Sequence, residues 1–234
     1  MLWICILLLS LGALTIVFYV IEKIKAYSLK AVAIKAVASL LFVALAAYSS
    51  FVKHGHIINP FIILGLILGL TGDIWLDLKY VYPKDDKIYT YCGFIVFGLG
   101  HILFISGMHL EYLGDNSVLY ILIPIIIAVV GAIANYFLAI PLKLKFGDYK
   151  LIVFLYSVML FSFPLSSLSL LILDGWDNTT LVMLFVGGLL FMVSDLVLSG
   201  TYFGENHEKP IDFILNYLTY YSAQFVIAFS LFFL

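Results

Sequence analysis

Apolar residues run through the chain in eight long stretches, at 2–21, 31–52, 57–77, 90–110, 117–139, 149–172, 179–200 and 213–234, separated by short polar connections. About 20 apolar residues at ~1.5 Å rise cover the ~30 Å hydrocarbon core of a bilayer, so each stretch predicts one transmembrane helix. The first run opens at Leu2 without the basic leader and small-residue cleavage site of a signal peptide, and reads as the first span. The pattern predicts an all-α fold: a polytopic membrane helix bundle of eight transmembrane helices, forming a single domain over residues 1–234.

Composition agrees: 64% of residues are hydrophobic and 11% charged, against roughly a quarter charged in soluble domains. An ordinary soluble domain, a disordered tail and a nucleic-acid surface are poor fits. Cys5 and Cys92 lie in apolar stretches and read as packing residues, with neither a disulfide framework nor a metal pair. The cations are twelve Lys and no Arg, so bidentate guanidinium clamps on phosphate or carboxylate are not available.

The lysines also give a direction. Lys23, Lys25 and Lys30 fall in the first connection, Lys79, Lys84 and Lys87 in the third, Lys143, Lys145 and Lys150 in the fifth and Lys209 in the seventh. Basic short loops stay in the cytoplasm, so the odd connections are expected there and both termini are expected on the non-cytoplasmic side. Asp73, Asp195 and Lys35 then sit ~6 to 8 Å inside the cytoplasmic boundary. His101, Tyr156, Tyr217, Tyr220, Tyr221 and Gln224 fall in the same half or near the midplane. Residues 64–77 also align without gaps to 186–199, placing Asp73 on Asp195 and Gly65 on Gly187. A parallel 4+4 duplication is expected from this match, with the two aspartates facing each other across a central cavity.

An ionisable side chain in a membrane helix costs ~2.5 to 3.5 kcal/mol on insertion scales, which makes Asp73 and Asp195 candidates for chemistry. The competing reading is that each is neutral and bonds two helices together. One protonated and one ionised carboxyl is what general acid and base catalysis requires. Asp77, one turn beyond Asp73, is either a solvated helix end or part of the site. Lys35 shares a face with Ser39 and either neutralises an aspartate, meets a phosphate or snorkels to the interface. His101 recurs at helical spacing with Phe97 and Phe104, as a core histidine or a site residue. The stripe of Tyr217, Tyr220 or Tyr221, and Gln224 is explained equally by interhelical hydrogen bonding. Pro124 and Pro164 are expected to kink their helices. No G-x-S-x-G elbow, H-E-x-x-H motif or nucleotide-binding glycine loop occurs, and no metal site is expected.

Four segments together resemble one family: Gly72-Asp73, FGLGH from Phe97 to His101, FMVSD from Phe191 to Asp195, and TYYSAQ from Thr219 to Gln224. Their order and spacing resemble the YhhN family, which includes the lysoplasmalogenases. Lys35 resembles the lysine that opens that family's second helix, although Ala36 stands where proline often follows; Tyr156 resembles a sixth-helix tyrosine. The resemblance implies a membrane hydrolase that cleaves the vinyl ether bond of lysoplasmalogen to a fatty aldehyde and a glycerophospho-alcohol, without metal or organic cofactor. It implies Asp73 and Asp195 as catalytic residues, with Lys35, His101, Tyr156, Tyr220, Tyr221 and Gln224 around the substrate. The implied partners are a lysophospholipid and the surrounding lipids of a bacterial plasma membrane or endoplasmic reticulum. A proton-coupled lipid or small-molecule transporter would use the same buried aspartates.

Overall fold

The computed structural model describes residues 1–25, 27–204 and 210–234. Its helices are α1 (Leu2–Lys25), α2 (Leu29–Val52), α3 (Ile58–Val81), α4 (Asp86–Tyr112), α5 (Leu119–Leu138), α6 (Lys150–Asp174), α7 (Thr179–Phe203) and α8 (Pro210–Ser230). Ser28 caps α2 by accepting from the Ala31 amide, and Asn178 caps α7 by accepting from that of Leu181. Gly175, at φ 102°, ends α6 in a conformation that side chains with a Cβ rarely adopt. Pro124 and Pro164 do lie inside α5 and α6. Lys209 and His207 lie outside the described residues.

Among the described residues, seven helices are long and apolar enough to cross a bilayer by composition, where the sequence pattern predicts eight. The exception is α8, which is 21 residues long. Its apolar content is diluted by Asn216, Tyr217, Tyr220, Tyr221 and Gln224, and all five are buried within the bundle. Apolar side chains face outward instead: α5 exposes Ile126, Val130 and Phe137. Polar inside and apolar outside is the distribution a hydrocarbon solvent selects.

Helix neighbours repeat after four elements. α1 packs on α2, α2 on α3 and α3 on α4, just as α5 packs on α6, α6 on α7 and α7 on α8; α4 lies against α6 as α8 lies against α2. The aligned glycines keep equivalent roles, since Gly65 receives Phe104 of α4 and Gly187 receives Ile227 of α8. This arrangement agrees with the duplication inferred from residues 64–77 and 186–199. Glycines let α3 and α4 approach closely: a Cβ on Gly72 would stand 2.5 Å from the Phe97 ring, and one on Gly100 would stand 3.1 Å from the Gly65 carbonyl oxygen.

Both termini lie at one end of the bundle, where Tyr48 donates to the Met1 carbonyl at 3.2 Å and Lys53 to the Leu234 oxygen at 2.7 Å. The opposite end gathers the last turns of α1, α3 and α7 with the first turns of α2, α6 and α8. Several helices run further than their apolar patterns predict, among them α1, to Lys25 rather than residue 21, and α3, to Val81 rather than residue 77. Lys23 lies in the added turn of α1 and Asp77 at the predicted end of α3, and their side chains pair with each other at 2.7 Å. A charge with a partner inside the bundle need not end a span.

Candidate active site

One cavity opens among α2 to α8, bordered by Lys35, Asp73, Asp77, Tyr156, Asp195 and Tyr220. Phe97, Leu160 and Leu198 supply apolar wall, while Asn135, Ser157, Ser194 and Asn216 add neutral polar groups. Asp73 and Asp195 thus border the same space, one from each half of the bundle.

Their immediate surroundings differ. Asp73 is buried and receives Ser39 Oγ at 2.6 Å and Tyr220 OH at 2.8 Å on Oδ2, while Lys35 Nζ lies 3.2 Å from Oδ1. Two hydroxyl donors and an ammonium group complete the shell expected around a carboxylate. Asp195 is half-buried and bonded to the Tyr156 hydroxyl, and among the described residues no lysine pairs with it. Helix α7 is fixed to α8 immediately beside it, because Asn216 Nδ2 donates to the Ser194 carbonyl at 2.9 Å and to Ser194 Oγ at 3.0 Å.

Asp77 is not a solvated helix end. It is buried, its Oδ1 meets Lys23 Nζ at 2.7 Å and Lys35 Nζ at 3.3 Å, and its Oδ2 accepts from Tyr19 at 2.7 Å. Lys35 is therefore held between Asp73 and Asp77 on the cavity wall rather than snorkelling to the interface. Lys23, expected in a loop, is buried too: beyond Asp77, its Nζ donates to Tyr217 OH at 2.6 Å and Tyr19 OH at 2.9 Å. The only sequence signal for that role is the four-residue spacing that puts Tyr19 and Lys23 on one helix face.

Three residues expected around the substrate stand behind the wall rather than on it. His101 is fully buried, with neither ring nitrogen bonded, among the rings of Phe191 at 4.7 Å, Tyr156 at 5.8 Å, Phe163 at 5.9 Å and Phe104 at 6.1 Å. Its helical spacing with Phe97 and Phe104 reflects that aromatic core. Gln224 donates from Nε2 to Tyr220 OH at 2.9 Å and so fixes the hydroxyl that meets Asp73. Tyr221 packs against Tyr220 at 5.1 Å and Phe42 at 6.5 Å. Asn135, which does border the cavity, was not singled out by the sequence pattern, since it is an isolated amide in an apolar helix.

Among the described residues, no three His, Cys, Asp or Glu side chains gather where a metal ion could sit. The arrangement is suited to proton transfer between a cavity-bound molecule and two unequal carboxyls. No curated protein and no solved structure matches the chain. The YhhN family model matches residues 30–231, a stretch that takes in Lys35, Asp73, Tyr156, Asp195, Tyr220 and Gln224 and leaves α1 outside. With a match over most of its length, the chain belongs to the YhhN family.

Proposed function

We propose that the protein is a lysoplasmalogenase-like membrane hydrolase, which adds water across the vinyl ether bond of a lysoplasmalogen and releases a fatty aldehyde and a glycerophospho-alcohol. The observation that supports this best is the pair of carboxyls on one cavity, Asp73 beside Lys35 and Asp195 beside Tyr156 with no lysine partner among the described residues. Asp195 is the acid and Asp73 the carboxylate. Asp195 gives its proton to the vinyl carbon distal to the ether oxygen, leaving an oxocarbenium ion that the Asp73 carboxylate faces and stabilises. Water adds to the ether-linked carbon as Asp73 takes one of its protons, forming a hemiacetal. Collapse breaks the bond from that carbon to the glyceryl oxygen; Asp73 returns its proton to that oxygen, and the hemiacetal hydroxyl proton restores Asp195. One water is consumed and both carboxyls end as they began.

Tyr156 orients Asp195, and Ser39, Tyr220 and Lys35 hold Asp73. The alkenyl chain lies among the apolar wall residues, with the phosphate toward the basic connections, which face the cytoplasm in this reading. The test compares a lysoplasmalogen with its saturated alkyl ether analogue, using purified protein in detergent. Aldehyde from the vinyl ether alone supports the reading, and none from folded protein across head groups and pH overturns it. The two-fold repeat of the bundle would also suit a proton-coupled transporter; uptake into vesicles without aldehyde release identifies that case.

A further inference from the structure

Lys23 does not border the cavity, yet it is built into the charges that do. Its ammonium group has three oxygen partners, Asp77, Tyr19 and Tyr217, and its side chain is 4% exposed. Lys35 next to it is shared almost evenly, 3.2 Å from Asp73 Oδ1 and 3.3 Å from Asp77 Oδ1. Four charged groups thus form a row, Lys23, Asp77, Lys35, Asp73, alternating in sign from α1 to the cavity. In a low-dielectric interior such neighbours compete strongly for one another. With Lys23 on its Oδ1, Asp77 exerts a reduced pull on Lys35.

We propose that Lys23 is a positioning residue for Asp73: by neutralising Asp77 it leaves Lys35 shared with Asp73, and so sets the charge environment of the carboxylate on the cavity. Without Lys23, Asp77 claims Lys35 and Asp73 loses its cation. The inference assigns a role to α1, which lies outside the matched residues 30–231. It rests on the hydrolase reading only where turnover is measured.

An ordinary stabilising ion pair makes Lys23→Met and Asp77→Asn equivalent, because each strips one partner from the same pair. The positioning role makes them unequal. Lys23→Met frees Asp77 to draw Lys35 away, whereas Asp77→Asn leaves Lys35 to Asp73 alone. The direct probe is dicyclohexylcarbodiimide, an apolar reagent that modifies protonated carboxyls, with labelling at Asp73 read by peptide mass spectrometry on detergent-purified protein that elutes as a single folded species. Labelling at Asp73 is expected to rise at least about fivefold in Lys23→Met, to stay near wild type in Asp77→Asn, and to return toward wild type in Lys23→Met/Asp77→Asn. If wild type releases aldehyde, kcat should fall about tenfold in Lys23→Met with KM little changed. Equal labelling of Asp73 in Lys23→Met and Asp77→Asn overturns the positioning role, whatever the turnover. Absence of aldehyde from wild type overturns the hydrolase reading and leaves the labelling comparison decisive. Should Lys23→Met fail to fold, Lys23→Gln, which keeps hydrogen-bond donors without the charge, is held to the same labelling outcomes.

Discussion

Tyr156 bonds through its hydroxyl to the carboxyl of Asp195, on the same cavity where Lys35 meets Asp73. The two contacts occupy corresponding helix pairs, α6 with α7 and α2 with α3, and differ in charge. Tyr156→Phe keeps the ring against Phe94 and removes only the hydroxyl. Turnover is expected to fall about 10- to 100-fold with KM changed little, because orientation of the acid is lost while the cavity keeps its shape. Steady-state aldehyde release checks this.

The unequal partners also separate the two carboxylates experimentally. Asp195→Asn and Asp73→Asn are each expected to lower turnover by at least about 100-fold, the lower end for loss of a positioned acid or base. Asp195→Asn should unfold at nearly the wild-type temperature, since that carboxyl has no ion pair to lose among the described residues. Asp73→Asn should unfold earlier, because Lys35 would be left with Asp77 alone. Thermal unfolding in detergent beside the turnover assay distinguishes the pair.

Close helix approach makes its own prediction. A methyl group at Gly72 would meet the Phe97 ring, which in turn packs on Tyr220 at 6.0 Å, the residue that donates to Asp73. Gly72→Ala is therefore expected to cost about 1–3 kcal/mol and to lower turnover through Phe97 and Tyr220. Gly200, in the last turns of α7, has nothing within 4 Å of its would-be Cβ. Gly200→Ala should stabilise by about 0.5–1 kcal/mol through helix propensity. Paired melting curves read both.

Lysine placement predicts the direction of insertion. Asp85 is exposed between α3 and α4, and Asp115 is exposed between α4 and α5. In a background lacking Cys5 and Cys92, Asp115→Cys is expected to react with an impermeant maleimide on intact cells, and Asp85→Cys only after permeabilisation. The reverse pattern would place the termini in the cytoplasm.

All the helices but α8 were legible from hydropathy alone, because long apolar runs have few alternatives in a bilayer. Their ends were less so at α1 and α3, where Lys23 and Asp77 look like boundaries in one dimension and become partners only after folding. The two cavity aspartates could be found because an isolated carboxyl in an apolar helix is costly, and the match of 64–77 to 186–199 paired them. Which neighbours each aspartate would take could not be read that way. The partners of Asp73 come from α2 and α8, 34 and 147 residues away. His101 misled for the opposite reason, since polarity in a motif marks a site only if the side chain turns toward it, and this ring faces Phe191 and Phe163.

The central claim is that a carboxyl protonates the vinyl ether at carbon, and the most direct measurement is hydrolysis of a lysoplasmalogen in deuterium oxide with mass analysis of the aldehyde. The account predicts one deuterium on the carbon next to the aldehyde group, acquired only during turnover, and loss of that product in Asp195→Asn. Aldehyde that lacks the deuterium, or no aldehyde from folded protein, would contradict it.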